Sequence, residues 1–338
     1  MTLIPTALGL LACAAMIYLA CEYFVNGIEW VGLRFGVSKS AVGTVLAAFG
    51  TALPESVVTF VAVATGGSAA QKQIGVGAAI GGPLVLGTIA YAVVGLSFLA
   101  FQNRTRAALL EPDEQRRLAR DQAWFLLIFA AKVGLGLIAF RYKPWLGCAF
   151  VLAYAAYTWR EITAGEEFGK AEVELEPLKL RPKDANPPAH WALLQTAIAL
   201  SVIFLSSQLF VRGLAALSPQ LGLSTQLTAL LLSPIATELP ETLNAIIWMR
   251  QGKTTLALGN ISGAMMIQAT IPSALGIFFT PWLFDRPLTI AAVVTFASIA
   301  LMWMLLRKGM LSARKLALFG VLYFVFAGLA ATLRYPAS

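Results

Sequence analysis

The chain has 338 residues, 58% of them hydrophobic and only 12% charged, with a mean hydropathy of +0.75. A soluble domain carries about 25% charged residues, so this composition excludes a water-soluble globule and places the chain in a bilayer. The net charge of +8 does not point to nucleic acid, because the basic residues lie in short loops between apolar stretches, where membrane topology accounts for them.

A membrane span needs about 20 apolar residues. Ten stretches qualify, at roughly 4–26, 40–65, 74–101, 121–140, 144–160, 191–215, 224–249, 254–280, 284–306 and 313–334. The expected fold is therefore an all-α integral membrane protein with ten transmembrane helices. The first stretch lacks the basic leader and small-residue cleavage site of a signal peptide and reads as a retained helix. On one side of this arrangement lie six basic residues: Lys72, Arg141, Lys143, Arg212, Arg286 and Arg334. The other side carries eighteen, which makes that side cytoplasmic and puts both termini outside. Two cytoplasmic segments interrupt the spans. Residues 102–120 read as a short charged surface helix. Residues 161–190, acidic at first and Pro-rich at the end, read as a solvated hinge between halves 1–160 and 191–338. A regulatory cation site there is the alternative reading.

The two halves repeat each other. Displaced by 186 positions, Phe24-Val25 meets Phe210-Val211, Gly27 meets Gly213, Gly36 meets Gly222 and Ser38 meets Ser224. Thr51, Leu53, Pro54 and Glu55 then meet Thr237, Leu239, Pro240 and Glu241. Shared apolar composition does not produce such a register. The α-repeats are placed at about 40–101 and 224–280. Five spans per half is an odd number, so the halves must insert in opposite orientation, the inverted-repeat plan of secondary transporters.

Of the seventeen acidic residues, Glu55, Glu238 and Glu241 fall near mid-membrane. A charge at that depth costs a few kcal/mol or more and usually faces a cavity or pathway. A structural pair with Lys132, or a protonated acid in a helix contact, is the plainer reading. Pro54 and Pro240 each remove a backbone donor and free carbonyls one turn before the glutamates. Freed carbonyls, threonine hydroxyls and carboxylates form an all-oxygen set, which suits a hard cation such as calcium. Cys13, Cys21 and Cys148 have no metal-type spacing and read as buried free thiols. His190, the one histidine, reads as a loop residue, so zinc, haem and Ser-His chemistry lack support. Trp30, Trp145, Trp191 and Trp282 fit an interfacial belt. Gly75, Gly77, Gly81, Gly82 and Gly87 let helices approach closely or leave room for an ion path.

At Gly50-Thr51-Ala52-Leu53-Pro54-Glu55, Ala236-Thr237-Glu238-Leu239-Pro240-Glu241 and Gly259-Asn260-Ile261-Ser262-Gly263, the chain resembles the cation/calcium antiporter superfamily, whose best-known members exchange sodium for calcium. The resemblance implies that Glu55 and Glu241 chelate the transported cation, assisted by Thr51, Thr237 and carbonyls near Ala48 and Pro234. The chain departs from the pattern in several places. Ala52 and Glu238 stand where the family has serine. Gly81-Gly82 and Gly263-Ala264 replace a polar Gly-Ser. Leu86 and Gln268 stand where an Asn or Asp is usual, at family positions tied to sodium and to the proton-accepting acid. Glu238 is read as replacing the missing acid, three residues before Glu241 on a similar helical face; a pore-mouth glutamate with no coordinating role is the other reading.

The expected function is antiport of a divalent cation, calcium first, against sodium. A calcium/proton exchanger is the alternative, as is a non-transporting cation sensor or scaffold. An intramembrane hydrolase lacks a convincing constellation, so no enzymatic activity and no resident cofactor are expected. The expected partners are the transported cations and the lipid bilayer of a bacterial inner membrane, and a monomer suffices.

Overall fold

The computed structural model describes residues 3–34, 53–101, 110–165, 176–184, 186–250, 252 and 254–332. Among these residues the regular structure is entirely helical. We number the helices α1 (Leu3–Arg34), α2 (Leu53–Thr65, ending in a π turn), α3 (Ala69–Phe101, with a π turn over Leu86–Ala90), α4 (Pro112–Leu137) and α5 (Gly147–Gly165). The second half supplies α6 (Ala189–Leu221), α7 (Thr225–Thr237), α8 (Leu239–Arg250), α9 (Thr254–Phe279), α10 (Arg286–Arg307) and α11 (Ala313–Thr332). Six of these, α1, α3, α6, α9, α10 and α11, are long and apolar enough to cross a membrane. Leucines such as Leu8, Leu11, Leu205, Leu209 and Leu318 are exposed on the bundle surface, as expected where lipid rather than water is the solvent.

The helix ends follow from local chemistry. The Ser224 hydroxyl caps α7 by accepting from Leu227 N, and Gly222 closes α6 in the left-handed region at φ +64°. Glu111 and Glu114 form a capping box that starts α4, with Pro112 at its first turn. The charged residues from 112 to 120 are therefore the first turns of α4 and not a separate surface helix. Residues 102–109 lie outside the described residues.

Helices α3 and α9 form the buried centre. Gly77 and Gly81 bring α3 so close to α7 that a Cβ at Gly81 would stand 2.5 Å from the Leu230 carbonyl and 2.7 Å from Pro234 Cγ. The close-approach reading of these glycines holds. Around this centre α1 lies along α6 and α4 along α10, while α11 packs on α3 and α5 on α9.

Within the described part of the linker, the stretch around Leu178 is anchored to the bundle. Leu178 is fully buried against Trp30 and Ala192. Asn26 donates to the carbonyls of Glu176 and Pro177 and accepts from Lys179 N at 3.0 Å and Gln195 Nε2 at 2.9 Å. Gln195 also donates to Tyr23 O and accepts from Leu180 N. Pairing of these groups across α1 and α6 is invisible in a composition that reads as charged and Pro-rich. The result is a clasp holding α1 and α6 together at one end.

Two of the four tryptophans also leave the expected belt. Trp282 is fully buried and donates to Lys132 O at 3.0 Å, while Trp30 is buried and donates to Glu176 O. Trp145, by contrast, is exposed. All three cysteines are free, but Cys148 is exposed and Cys13 only half-buried, because their helices turn those faces outward; Cys21 alone is buried.

Candidate cation-binding site

Pro234 and Pro240 flank a break in the seventh span, and Glu238 occupies it between α7 and α8 (φ −99°, ψ −1°). Glu238 reaches α9, where Gln268 Nε2 donates to Glu238 Oε2 at 2.6 Å. The glycine at 82 makes room for this pair: a Cβ there would sit 2.7 Å from Gln268 Oε1 and 3.2 Å from Glu238 Oε1. Glu238 is 1% exposed, so the pore-mouth reading does not hold.

Glu55, in the first turn of α2, reaches the same place from the other half. Thr237 Oγ1 stands 2.8 Å from Glu55 Oε2, 2.9 Å from Glu238 Oε1 and 3.2 Å from Ser233 O. One hydroxyl thus joins carboxylates that are 183 positions apart in sequence (55 and 238). Glu55, Thr237, Glu238 and Gln268 are all buried.

A hydroxyl owns one hydrogen, and here it faces three acceptor oxygens. Glu55 Oε1, Ser233 Oγ and Gln268 Oε1 have no hydrogen-bond partner among the described residues. Buried polar groups are ordinarily satisfied, so the cluster is rich in oxygen and short of hydrogen-bond donors. Its chemistry calls for a proton or a cation, and the hard, carboxylate-rich donor set fits a divalent ion of the calcium type.

The other expected residues are placed as follows. Glu241 is fully buried in the first turn of α8, within electrostatic reach of Cys21 on α1. The Pro234 carbonyl accepts from Glu238 N at 2.9 Å, which leaves it one lone pair for a cation. Leu86 is buried in the main apolar core. Thr51 and Ala48 lie outside the described residues.

Gln268, a candidate site residue from the sequence, donates its amide to Glu238, a partner that the sequence did not name. Ser233 adds an inward hydroxyl beside Pro234, and only its place one turn before Thr237 hinted at it.

The sodium/calcium exchanger protein family model matches residues 6–163 and 191–332. The chain belongs to that family. It is a multi-pass membrane protein of a transporter family and not an enzyme. It is 25% identical over 315 residues to the putative antiporter CaxA of Alkalimonas amylolytica, covering 91% of this chain and 92% of that one. The inner membrane protein YrbG of Escherichia coli K12 is 25% identical over 286 residues, covering 82% and 81%. Among solved structures, the H+/Ca2+ exchanger CAX superposes with a TM-score of 0.72 at 16% identity, covering 98% of this chain and 82% of its own. The sodium-calcium exchanger NCX_Mj superposes at 0.59 and 20% identity, covering 98% and 100%. At those identities the likeness concerns the fold.

Proposed function

We propose that this chain is a secondary active antiporter that carries a divalent cation, calcium first, against a monovalent ion across a bacterial inner membrane. The observation that carries the reading is the meeting of Glu55 and Glu238, one from each half, on the single hydroxyl of Thr237. Glu55, Glu238, Glu241 and Thr237 are the assigned ligands, with Thr51 and the carbonyls near Ala48 and Pro234 added by the motif and Gln268 as the group that orients Glu238.

The ten spans are read as two inverted five-helix repeats, α1–α5 and α6–α11, with α7 and α8 as one broken span and both termini outside. Exchanging the halves maps the packing onto itself, which supports this reading. The α1/α6 and α4/α10 pairs each match their own counterparts, while α3/α11 becomes α9/α5. Alternating access then consists of the clasped α1/α6 pair sliding over the fixed centre.

The shortage of hydrogens around Thr237 favours the proton as counter-ion, because a proton and calcium compete for the same oxygens. Sodium is the second reading, favoured by the Thr51, Leu53, Pro54 and Glu55 that the first repeat shares with the family motif. Radioactive calcium uptake into liposomes, driven separately by outward proton and outward sodium gradients, decides between them. Uptake with the proton gradient alone is expected. Uptake with sodium alone selects the second reading, and no uptake with either refutes calcium antiport.

A further inference from the structure

Lys132 is the one basic residue that the loop count leaves inside a span, and the exchange reading does not use it. It lies on α4, fully buried, with its ammonium 5.1 Å from the Phe129 ring centroid. Its Nζ stands 2.9 Å from the carbonyl of Ala79 on α3 and 3.5 Å from the carbonyl of Gln268 on α9. Both partners have the same origin. A proline inside a helix cannot donate to the carbonyl four residues earlier; Pro83 frees Ala79 O and Pro272 frees Gln268 O. The two central helices thus each present one carbonyl without its helical donor to the same point, the one at Gln268 taking also a long bond of 3.4 Å from the Ser273 hydroxyl, with the Glu55 carboxylate within electrostatic reach. Carbonyl oxygens from two helices near an acid are what an alkali cation binds.

We propose that the Lys132 ammonium is a tethered monovalent cation. It fills an alkali-ion site formed by the Ala79 and Gln268 carbonyls, so this protein carries on a side chain a charge that would otherwise arrive from solution. Lys132 is held for this task. Trp282, wedged against Gly276, anchors its backbone carbonyl through the indole N–H, which fixes where the long side chain starts. The consequence for selectivity is that wild-type protein takes no alkali ion at this point. This consequence for transport rests on the antiport reading; the site itself does not.

The test is thermal unfolding of the purified protein in sodium, potassium or N-methylglucamine chloride at equal ionic strength. Lys132→Ala empties the site, and sodium or potassium should raise its Tm over N-methylglucamine by roughly 5 °C, as ligand binding to the folded state does. Wild-type protein should not respond to potassium, and any sodium shift that it shows through the Glu55 cluster should be smaller than that of the variant. An alanine variant equally stable in all three salts, or a wild-type protein that shifts as much, overturns the proposal. If the alanine variant does not survive purification, Lys132→Ser, which also empties the site, carries the same test. Calcium uptake is not the readout, so failure of the antiport reading leaves this result interpretable.

Discussion

Two buried polar clusters tie the halves of this molecule together, and they are built on opposite principles. In the linker clasp, the amides of Asn26 and Gln195 find a partner for every oxygen and nitrogen they bring. In the Glu55–Thr237–Glu238–Gln268 cluster, carboxylates crowd one hydroxyl and several oxygens are left without donors. A neutral, fully paired network fixes a geometry. An acid-rich network short of hydrogens holds that geometry open for an incoming positive charge. The comparison separates structural adhesive from site without reference to any relative.

The comparison breaks most sharply at Glu55. Glu55→Gln should lower calcium flux by about 100-fold or more while leaving Tm unchanged or raised, since it removes a charge whose burial is costly; liposome flux and a melting curve check both. Glu238→Gln should cost about tenfold to 100-fold in flux and also change how flux depends on the counter-ion gradient. Unaltered flux and coupling would return Glu238 to a passive role.

Smaller effects sharpen the contrast. Thr237→Val removes the shared hydroxyl and should weaken calcium half-saturation by about tenfold, equivalent to about 1.4 kcal/mol. Asn26→Ala strips the clasp, strands the Gln195 amide and should lower stability by about 1–3 kcal/mol. Calcium half-saturation, measured alongside denaturant unfolding, should stay within about twofold. A clasp variant that lost calcium binding while remaining folded would erase the distinction between the clusters.

Much of the site was legible because it is written in residue types with few other uses. A proline and a glutamate, repeated 186 positions apart, marked the two turns that carry Glu55 and Glu241 and drew attention to Glu238 between them. The missing part consists of partners that only packing can choose. Pro83 and Pro272 are plain in the sequence, but nothing in their spacing names Lys132 as the cation that reaches both freed carbonyls. The clasp escaped for the same reason: Asn26 and Gln195 look like ordinary polar residues until α1 and α6 lie side by side with the linker across them. Glu238 was assigned to the face of Glu241 by helical spacing, but spacing could not name Gln268 on α9 as the group that its carboxylate meets.

The account stands or falls on whether a divalent cation sits on the acids from both halves. Calcium titration of the purified protein by calorimetry in buffers of different ionisation enthalpy measures affinity and released protons together. The predicted result is saturable binding by the wild type with proton release, affinity rising with pH, and loss of binding in Glu55→Gln. Binding of equal strength in Glu55→Gln, without proton release, would contradict it.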